Sequence, residues 1–314
     1  MTANVDRPWS GLSVAITTPF DVEGRIDPAE LVAHARWMVG HGVEAVVAAG
    51  SLGEGSALTT EERLEVVRTL AAGLPPGVPV IAAVGAARTA EAVEVARGAA
   101  SAGARGLLVL PPYVYRGDAR ETLAHFRAVI RATDLPSMLY NNPAAYGVDV
   151  LPEQILDLAA EHPQLTGVKE SSGDVRRISA IRALVGDRLD LAVGLDDGVL
   201  EGVAAGAVGW VAGLANALPE ESRALFDAVR GPDRARAAEI YRWFLPLLRL
   251  DTIPKFVQCI KAVERELGRG TERVRPPRLA LTAEEREAVR ALVEVALAHR
   301  PPGLPGEGRR RTDP

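Results

Sequence analysis

The stretch GLLVLPPYVYRGDARETLAHFRAVIRATDLPSMLYNNP, residues 106–143, holds one complete structural unit. It opens on an apolar run (106–110), passes a Pro/Gly-containing loop, enters a helical stretch (119–132) and returns in a second apolar run (137–140). Runs of four or five apolar residues are too short for a buried helix. They read as parallel strands covered on both faces. Strand, helix and strand in that order make one βαβ unit.

The same unit recurs outward in both directions. Apolar runs stand at 12–17, 43–50, 78–84, 106–110, 137–140, 167–169, 191–194 and 208–212. Amphipathic stretches at 28–40, 60–74, 89–102, 119–132, 152–161 and 175–185 lie between them. The first follows Asp27 with Glu30 three residues on, and the second follows Thr59 with Glu62 at the same offset, both helix-start signatures. Eight strands with starts usually about 25–35 residues apart predict a (β/α)8 TIM barrel of the α/β class. An open doubly wound sheet is the alternative, disfavoured because no GxGxxG follows any strand. The last strand spacing is short, which predicts a brief seventh crossover helix. Beyond Pro219 only helical patterns follow, at 234–248, 254–267 and 283–299 after the barrel's own eighth helix. The expected organisation is a barrel carrying the active site over 1–231, a C-terminal helical extension over 232–300, and a disordered tail over 301–314. Its RRR reads as a solvated charge run.

Composition narrows the function. The chain has 314 residues, 47% hydrophobic and 25% charged, with a net charge of −5. That composition suits a folded enzyme-sized core and gives no basic patch for nucleic acid. One cysteine permits neither an internal disulfide framework nor a Cys-rich zinc site. The five histidines show no ligand spacing, so they offer no metal site. No signal sequence and no run of 18 apolar residues is found, which makes the cytosol the expected location and a membrane partner unexpected.

Only three of the 36 basic residues are lysines: Lys169, Lys255 and Lys261. Arginine cannot act as a nucleophilic amine, so a lysine kept against 33 arginines is a candidate for amine chemistry. Barrel active sites lie where strands end. Lys169 alone among the three occupies such a place. Burial there favours the neutral amine, able to attack a carbonyl or imine carbon. A structural ion pair is the competing role. Lys255 and Lys261 fall in the late helices and read as surface or interface charges. Tyr140, one strand away, is placed to relay protons, or else is an aromatic with an ordinary hydrogen bond. Gly50-Ser51-Leu52-Gly53 is a turn whose free N–H groups suit a carboxylate or phosphate. Strand 4 leads into Tyr113, and strand 7 ends at Gly194. Asp196-Asp197 reads as a helix cap, and Cys259 as helix packing.

The motifs GSLGE (50–54), YNNP (140–143) and GVKESSGD (167–174), in that order on those strands, resemble the dihydrodipicolinate synthase/N-acetylneuraminate lyase family. The resemblance runs over roughly residues 10–300. It implies a class I Schiff-base lyase on a (β/α)8 barrel, without metal or organic cofactor, assembled as a dimer or tetramer. Lys169 matches the family's Schiff-base lysine and Tyr140 its proton-relay tyrosine. Ser51 and Leu52 match the pair whose N–H groups hold the substrate carboxylate, flanked by Gly50, and Gly194 joins the substrate pocket. Three positions depart from the synthase pattern. Leu52 replaces a relay threonine. Val114 replaces an interface tyrosine, with Tyr115 next to it. Ala145 replaces an arginine that grips the aldehyde's carboxylate.

With KESSGDVRRI (169–178), GLDD (194–197), GWVAGLANALP (209–219) and LDTIPKFVQCIK (250–261), the chain looks most like 1-pyrroline-4-hydroxy-2-carboxylate deaminases of hydroxyproline breakdown. Those form 2-oxoglutarate semialdehyde and ammonia. The expected substrate is thus a small keto or imino acid. The alternatives are dihydrodipicolinate synthase or a 2-keto-3-deoxy-sugar-acid aldolase. A barrel that binds a small acid without catalysis is the alternative from another class.

Overall fold

The computed structural model describes residues 7–112 and 114–304; Tyr113 and the segments 1–6 and 305–314 lie outside the described residues. In chain order the elements are β1 (Gly11–Ala15), α1 (Pro28–Gly40), β2 (Ala45–Ala48), α2 (Thr60–Gly73), β3 (Val80–Val84), α3 (Thr89–Ser101), β4 (Gly106–Val109) and α4 (Ala119–Ile130). Then follow β5 (Ser137–Asn141), α5 (Pro143–Tyr146), α6 (Pro152–Glu161), β6 (Leu165–Glu170), α7 (Arg176–Val185), β7 (Asp190–Val193), α8 (Val199–Ala204), β8 (Gly209–Ala212) and α9 (Pro219–Arg230). Three helices complete the fold: α10 (Arg234–Leu248), α11 (Phe256–Glu266) and α12 (Ala283–Ala298). All eight strands pair in parallel, each with its sequence neighbour, and β1 closes on β8. The molecule is a (β/α)8 barrel, and the seventh crossover helix, α8, is six residues long.

Closure buries both faces of every strand, which is why the strands read as unbroken apolar runs rather than alternating ones. Leu12, Val14, Val46, Leu107, Val109 and Val168 face the helices. Val47, Ile81, Leu108, Met138, Tyr140 and Val211 fill the lumen. At the end where the strands begin, the lumen is stoppered by Trp9, whose Nε1 donates to Thr166 Oγ1 at 2.8 Å. Helix starts follow the capping chemistry: Asp27 accepts from Ala29 and Glu30, and Thr59 with Glu62 forms a reciprocal capping box.

The limits of all eight strands differ from the sequence expectation by one or two residues, and two of the differences have a visible cause. β2 stops at Ala48 because Ala49 turns into the left-handed region, φ 54°, and starts the Gly50–Gly53 turn. β1 stops at Ala15, and Thr17 and Thr18 leave the sheet to bond Glu264 Oε1 and the Gly53 carbonyl, at 2.9 and 2.7 Å. Helix α11 starts at Phe256 rather than 254, since residues 249–252 wind into a 3-10 turn first. Leu304, in the segment expected to be disordered, is buried, and Arg236 donates to the Pro302 carbonyl at 2.6 Å. Among the described residues no helix is long and apolar enough to cross a membrane.

The three lysines separate. Lys255 is half-exposed and pairs with Glu285, in line with a surface charge. Lys261 overturns the surface reading: it is 1% exposed and paired with Glu54, itself fully buried, at 2.6 Å. Cys259, on the same helix, is buried in packing as expected.

Glu264 stands one turn of α11 from Lys261. Complete burial pushes its carboxyl up to about 7 from 4.5, against the Thr17 hydroxyl bond and the Lys261 charge, which pull it down. As pH rises through this window, the unfolded chain sheds the proton before the folded one does. The contribution is full below about pH 4.5 and lost by about pH 7, worth about 3 kcal/mol. Glu264→Gln removes this titration. Urea unfolding of both proteins at about pH 4.5 and about pH 8 should show the variant gaining on wild type by that amount as pH rises. A pH-independent difference would refute the displaced titration.

Candidate active site

Strands β5 and β6 pair with Tyr140 opposite Lys169 and Asn141 opposite Glu170. In-register residues of parallel neighbours point the same way, so the phenol and the amine share the lumen at the strands' C-terminal ends. Lys169 Nζ lies 4.4 Å from the Tyr140 ring centroid, and the two residues are 7% and 6% exposed. Glu170, next in the chain, is turned to other work: its carboxylate accepts from Asn141 Nδ2 at 3.0 Å and from the Ser172 N–H at 2.6 Å. Burial nonetheless raises its pKa.

The Tyr140 hydroxyl accepts from Asn142 Nδ2 at 3.0 Å, which fixes the phenol oxygen and leaves its proton free to be donated elsewhere. The same Asn142 caps the short helix α5, its side-chain oxygen accepting from the Ala145 N–H. That cap sets Tyr146, whose ring packs edge-on against Tyr140 with centroids 5.7 Å apart. The Tyr146 hydroxyl is hydrogen-bonded to Ser51 Oγ. One side-chain chain thus runs from Lys169 through Tyr140 and Tyr146 to the Gly50–Gly53 turn. The turn is closed by Glu54 N–H to Ser51 O at 3.2 Å and Gly55 N–H to Gly50 O at 2.9 Å. Among the described residues, the N–H groups of Ser51 and Leu52 have no protein acceptor. Two such N–H groups suit a carboxylate. Leu52 itself is buried in the core.

β7 stops at Val193, one residue short of the expected end, and Gly194 follows it against this group. A β-carbon there would stand 2.6 Å from Lys169 Cε and 2.0 Å from Ser171 Oγ, so only glycine leaves room for the lysine's course. Ser171 was not singled out in the sequence. It is 2% exposed and its hydroxyl has no partner among the described residues, an expensive state unless something else binds it. The repeated serines of KESSG carry no signal that one is buried and the other not.

Two aspartates lie where β7 and β8 end. Asp196 is not a helix cap. Its carboxylate accepts from Trp210 Nε1 at 2.9 Å, Gly213 N at 3.0 Å and Leu214 N at 2.7 Å, tying β7's exit to β8's. Burial raises it to about 6, opposed by these bonds and the Lys169 charge. Asp251, from the turn before α11, lies against the other side of Gly213. Burial and the Asp196 carboxylate push it well above the usual range, again opposed by Lys169. Asp251 stands inside the stretch LDTIPKFVQCIK but was not singled out there. At the mouth, Val114 and Tyr115 are exposed, and Arg116 Nε lies 2.4 Å from where a β-carbon on Gly147 would stand. Among the described residues no group of three or more His, Cys, Asp or Glu is arranged to hold a metal.

The arrangement provides an amine nucleophile, a phenol proton donor and two N–H groups for an anion. The chain is 32% identical over 286 residues to a 4-hydroxy-tetrahydrodipicolinate synthase of Geobacter metallireducens, covering 91% of this chain and 98% of the relative. Among solved structures it resembles YagE from E. coli, described as a prophage protein of the dihydrodipicolinic acid synthase family in complex with pyruvate. The TM-score there is 0.87 at 27% identity, over 91% of this chain and 98% of that one. Dihydrodipicolinate synthase from Aquifex aeolicus superposes with TM-score 0.87 at 29% identity, over 91% and 97%. The family model described as Dihydrodipicolinate synthetase family matches residues 8–296, and the chain belongs to that family.

Proposed function

We propose that the protein is a Schiff-base lyase acting on a small 2-oxo or 2-imino carboxylate, with Lys169 as nucleophile. The observation that carries this is the in-register pair Tyr140–Lys169, buried together in the lumen with the phenol oxygen held by Asn142. The neutral amine adds to C2. The carbinolamine then expels water as the Tyr140 hydroxyl relays a proton to the departing oxygen, and an iminium remains on Lys169. The substrate carboxylate sits on the N–H groups of Ser51 and Leu52, beside Gly50, while Gly194 leaves the iminium its space. No metal or organic cofactor is needed for these steps. A small keto acid is the partner, in a homo-oligomer working in the cytosol.

For the full reaction, the curated relatives favour the synthase reading, in which the pyruvate adduct condenses with an aldehyde. The guanidinium of Arg116 beside Gly147 supports it by leaving a cation at the mouth for a second carboxylate. The deaminase reading is kept because of one observation: Ala145, on α5 next to Tyr146, offers no charge where the synthases carry arginine. In that reading Lys169 adds to the imine carbon of 1-pyrroline-4-hydroxy-2-carboxylate and the ring C–N bond opens. The 4-hydroxyl leaves as water and hydrolysis releases ammonia. A sugar-acid aldolase would use the same pyruvate adduct.

Sodium borohydride trapping with mass mapping tests the mechanism. Pyruvate should give an adduct on Lys169, which Lys169→Ala abolishes with the fold intact. Consumption of aspartate semialdehyde by the pyruvate-loaded enzyme selects the synthase. Ammonia released from the pyrroline selects the deaminase, and pyruvate released from a 2-keto-3-deoxy sugar acid selects the aldolase. No adduct with any keto acid leaves a barrel that only binds.

Tyr140→Phe should slow turnover by about 10²-fold or more; an unchanged rate would assign the phenol to packing. Gly194→Ala should cost about 10²-fold in adduct formation through displacement of Lys169, with little change in Tm. Wild-type rates would show that the lysine's course is not constrained there.

A further inference from the structure

We propose that Lys261, delivered by α11 of the C-terminal extension, is a positioning residue: through Glu54 it fixes the turn whose Ser51 and Leu52 N–H groups hold the substrate carboxylate. This rests on the proposed function of that turn. The Lys261 ammonium spends all three hydrogens on convergent acceptors: Glu54 Oε1 at 2.6 Å and the Thr18 carbonyl at 2.8 Å, both buried, and the Arg273 carbonyl at 2.6 Å. Its Nζ also stands 4.7 Å from the Phe20 ring centroid. The second oxygen of Glu54 accepts from the Arg275 N–H at 2.9 Å, with Arg278 at 3.8 Å. Glu54 is therefore bound on both oxygens by segments from the far end of the chain.

Its backbone is what matters to the site. Glu54 closes the turn through its N–H to Ser51 O, and it does so at φ 57°, a left-handed conformation that a side chain of this size adopts only when its surroundings impose it. The neighbouring Gly53 carbonyl is held by Thr18 Oγ1, and Thr18's own carbonyl is a Lys261 acceptor. One ammonium thus joins the exits of β1 and β2 around the turn. A buried ion pair is seldom a net source of stability compared with an apolar pair of the same volume. What this pair supplies is a fixed direction for two N–H groups three and two residues before Glu54. In a chain that uses arginine for almost every positive charge, the compact three-donor ammonium fits three convergent acceptors that a planar guanidinium would not.

The experiment measures pyruvate concentration dependence of borohydride trapping on Lys169, with Tm recorded separately. The variants are Glu54→Gln, Lys261→Met and, should the buried orphan carboxylate prevent folding, the apolar pair Lys261→Met/Glu54→Leu. A parallel control, Glu221→Gln, weakens the buried Arg300–Glu221 pair, which shares no residue with the clamp or the turn. The expected result is a half-saturating pyruvate concentration raised about tenfold in the clamp variants, with maximal trapping within about twofold of wild type. The control should lower Tm alone. Lowered Tm with unchanged half-saturation in the clamp variants would overturn the proposal and leave a structural ion pair. Absence of a wild-type pyruvate adduct would overturn the function of the turn and the clamp with it.

Discussion

A closed parallel barrel has no sheet edge, and each of its strands is covered twice, by helices outside and by side chains within. That constraint governs everything else in the molecule. Polar groups in the interior are costly unless they find partners or stand at the open ends of the strands. Thr166 is admitted because Trp9 bonds it, Asp196 because three donors meet it, and Glu54 because Lys261 and Arg275 do. Against that accounting, Ser171, whose buried hydroxyl has no partner among the described residues, and Lys169, whose Nζ lies over the Tyr140 ring, stand together beyond the usual pairing.

The barrel was legible because closure leaves a mark at every strand: eight apolar runs at βα spacing. Lys169 was legible from composition, since thirty-three arginines make any lysine conspicuous, and its strand-end place singled it out from the other two. The same count misled at Lys261. Helical position alone says surface, and no local pattern announces that Thr18, Glu54 and Arg273, some 12 to 243 residues away in sequence, converge on one nitrogen. Asp251 was hidden for the same reason. Helix α5 was missed because four residues carry no periodicity; its only cue was the Asn142-Pro143 start. The place of a single conspicuous residue is readable in a sequence, while an arrangement assembled by convergence is not.

The carboxyls show how burial distributes charge around Lys169. Asp196 and Asp251 flank Gly213, and each raises the cost of ionising the other. The lysine's charge pulls in the opposite sense on both. A change of protonation at the amine is therefore felt by a pair of carboxyls, one fixed by β8's exit and the other supplied by the C-terminal helices. The extension is bound to the barrel's chemistry at two points, Asp251 beside the lysine and Lys261 beside the turn.

Trp9 closes one end of the lumen. With the indole lodged across the strands' starting ends, the lumen is blind on that side, and Lys169, Tyr140 and Tyr146 lie at the other. Traffic in a blind chamber is ordered like a stack. In the proposed reaction, whatever bonds to Lys169 goes in first and comes out last, and a second reactant meets it from above. Water expelled at the lysine would leave by the way the substrate came, so the kinetics expected of such a chamber are those of sequential occupancy of one channel rather than of independent arrival from two sides.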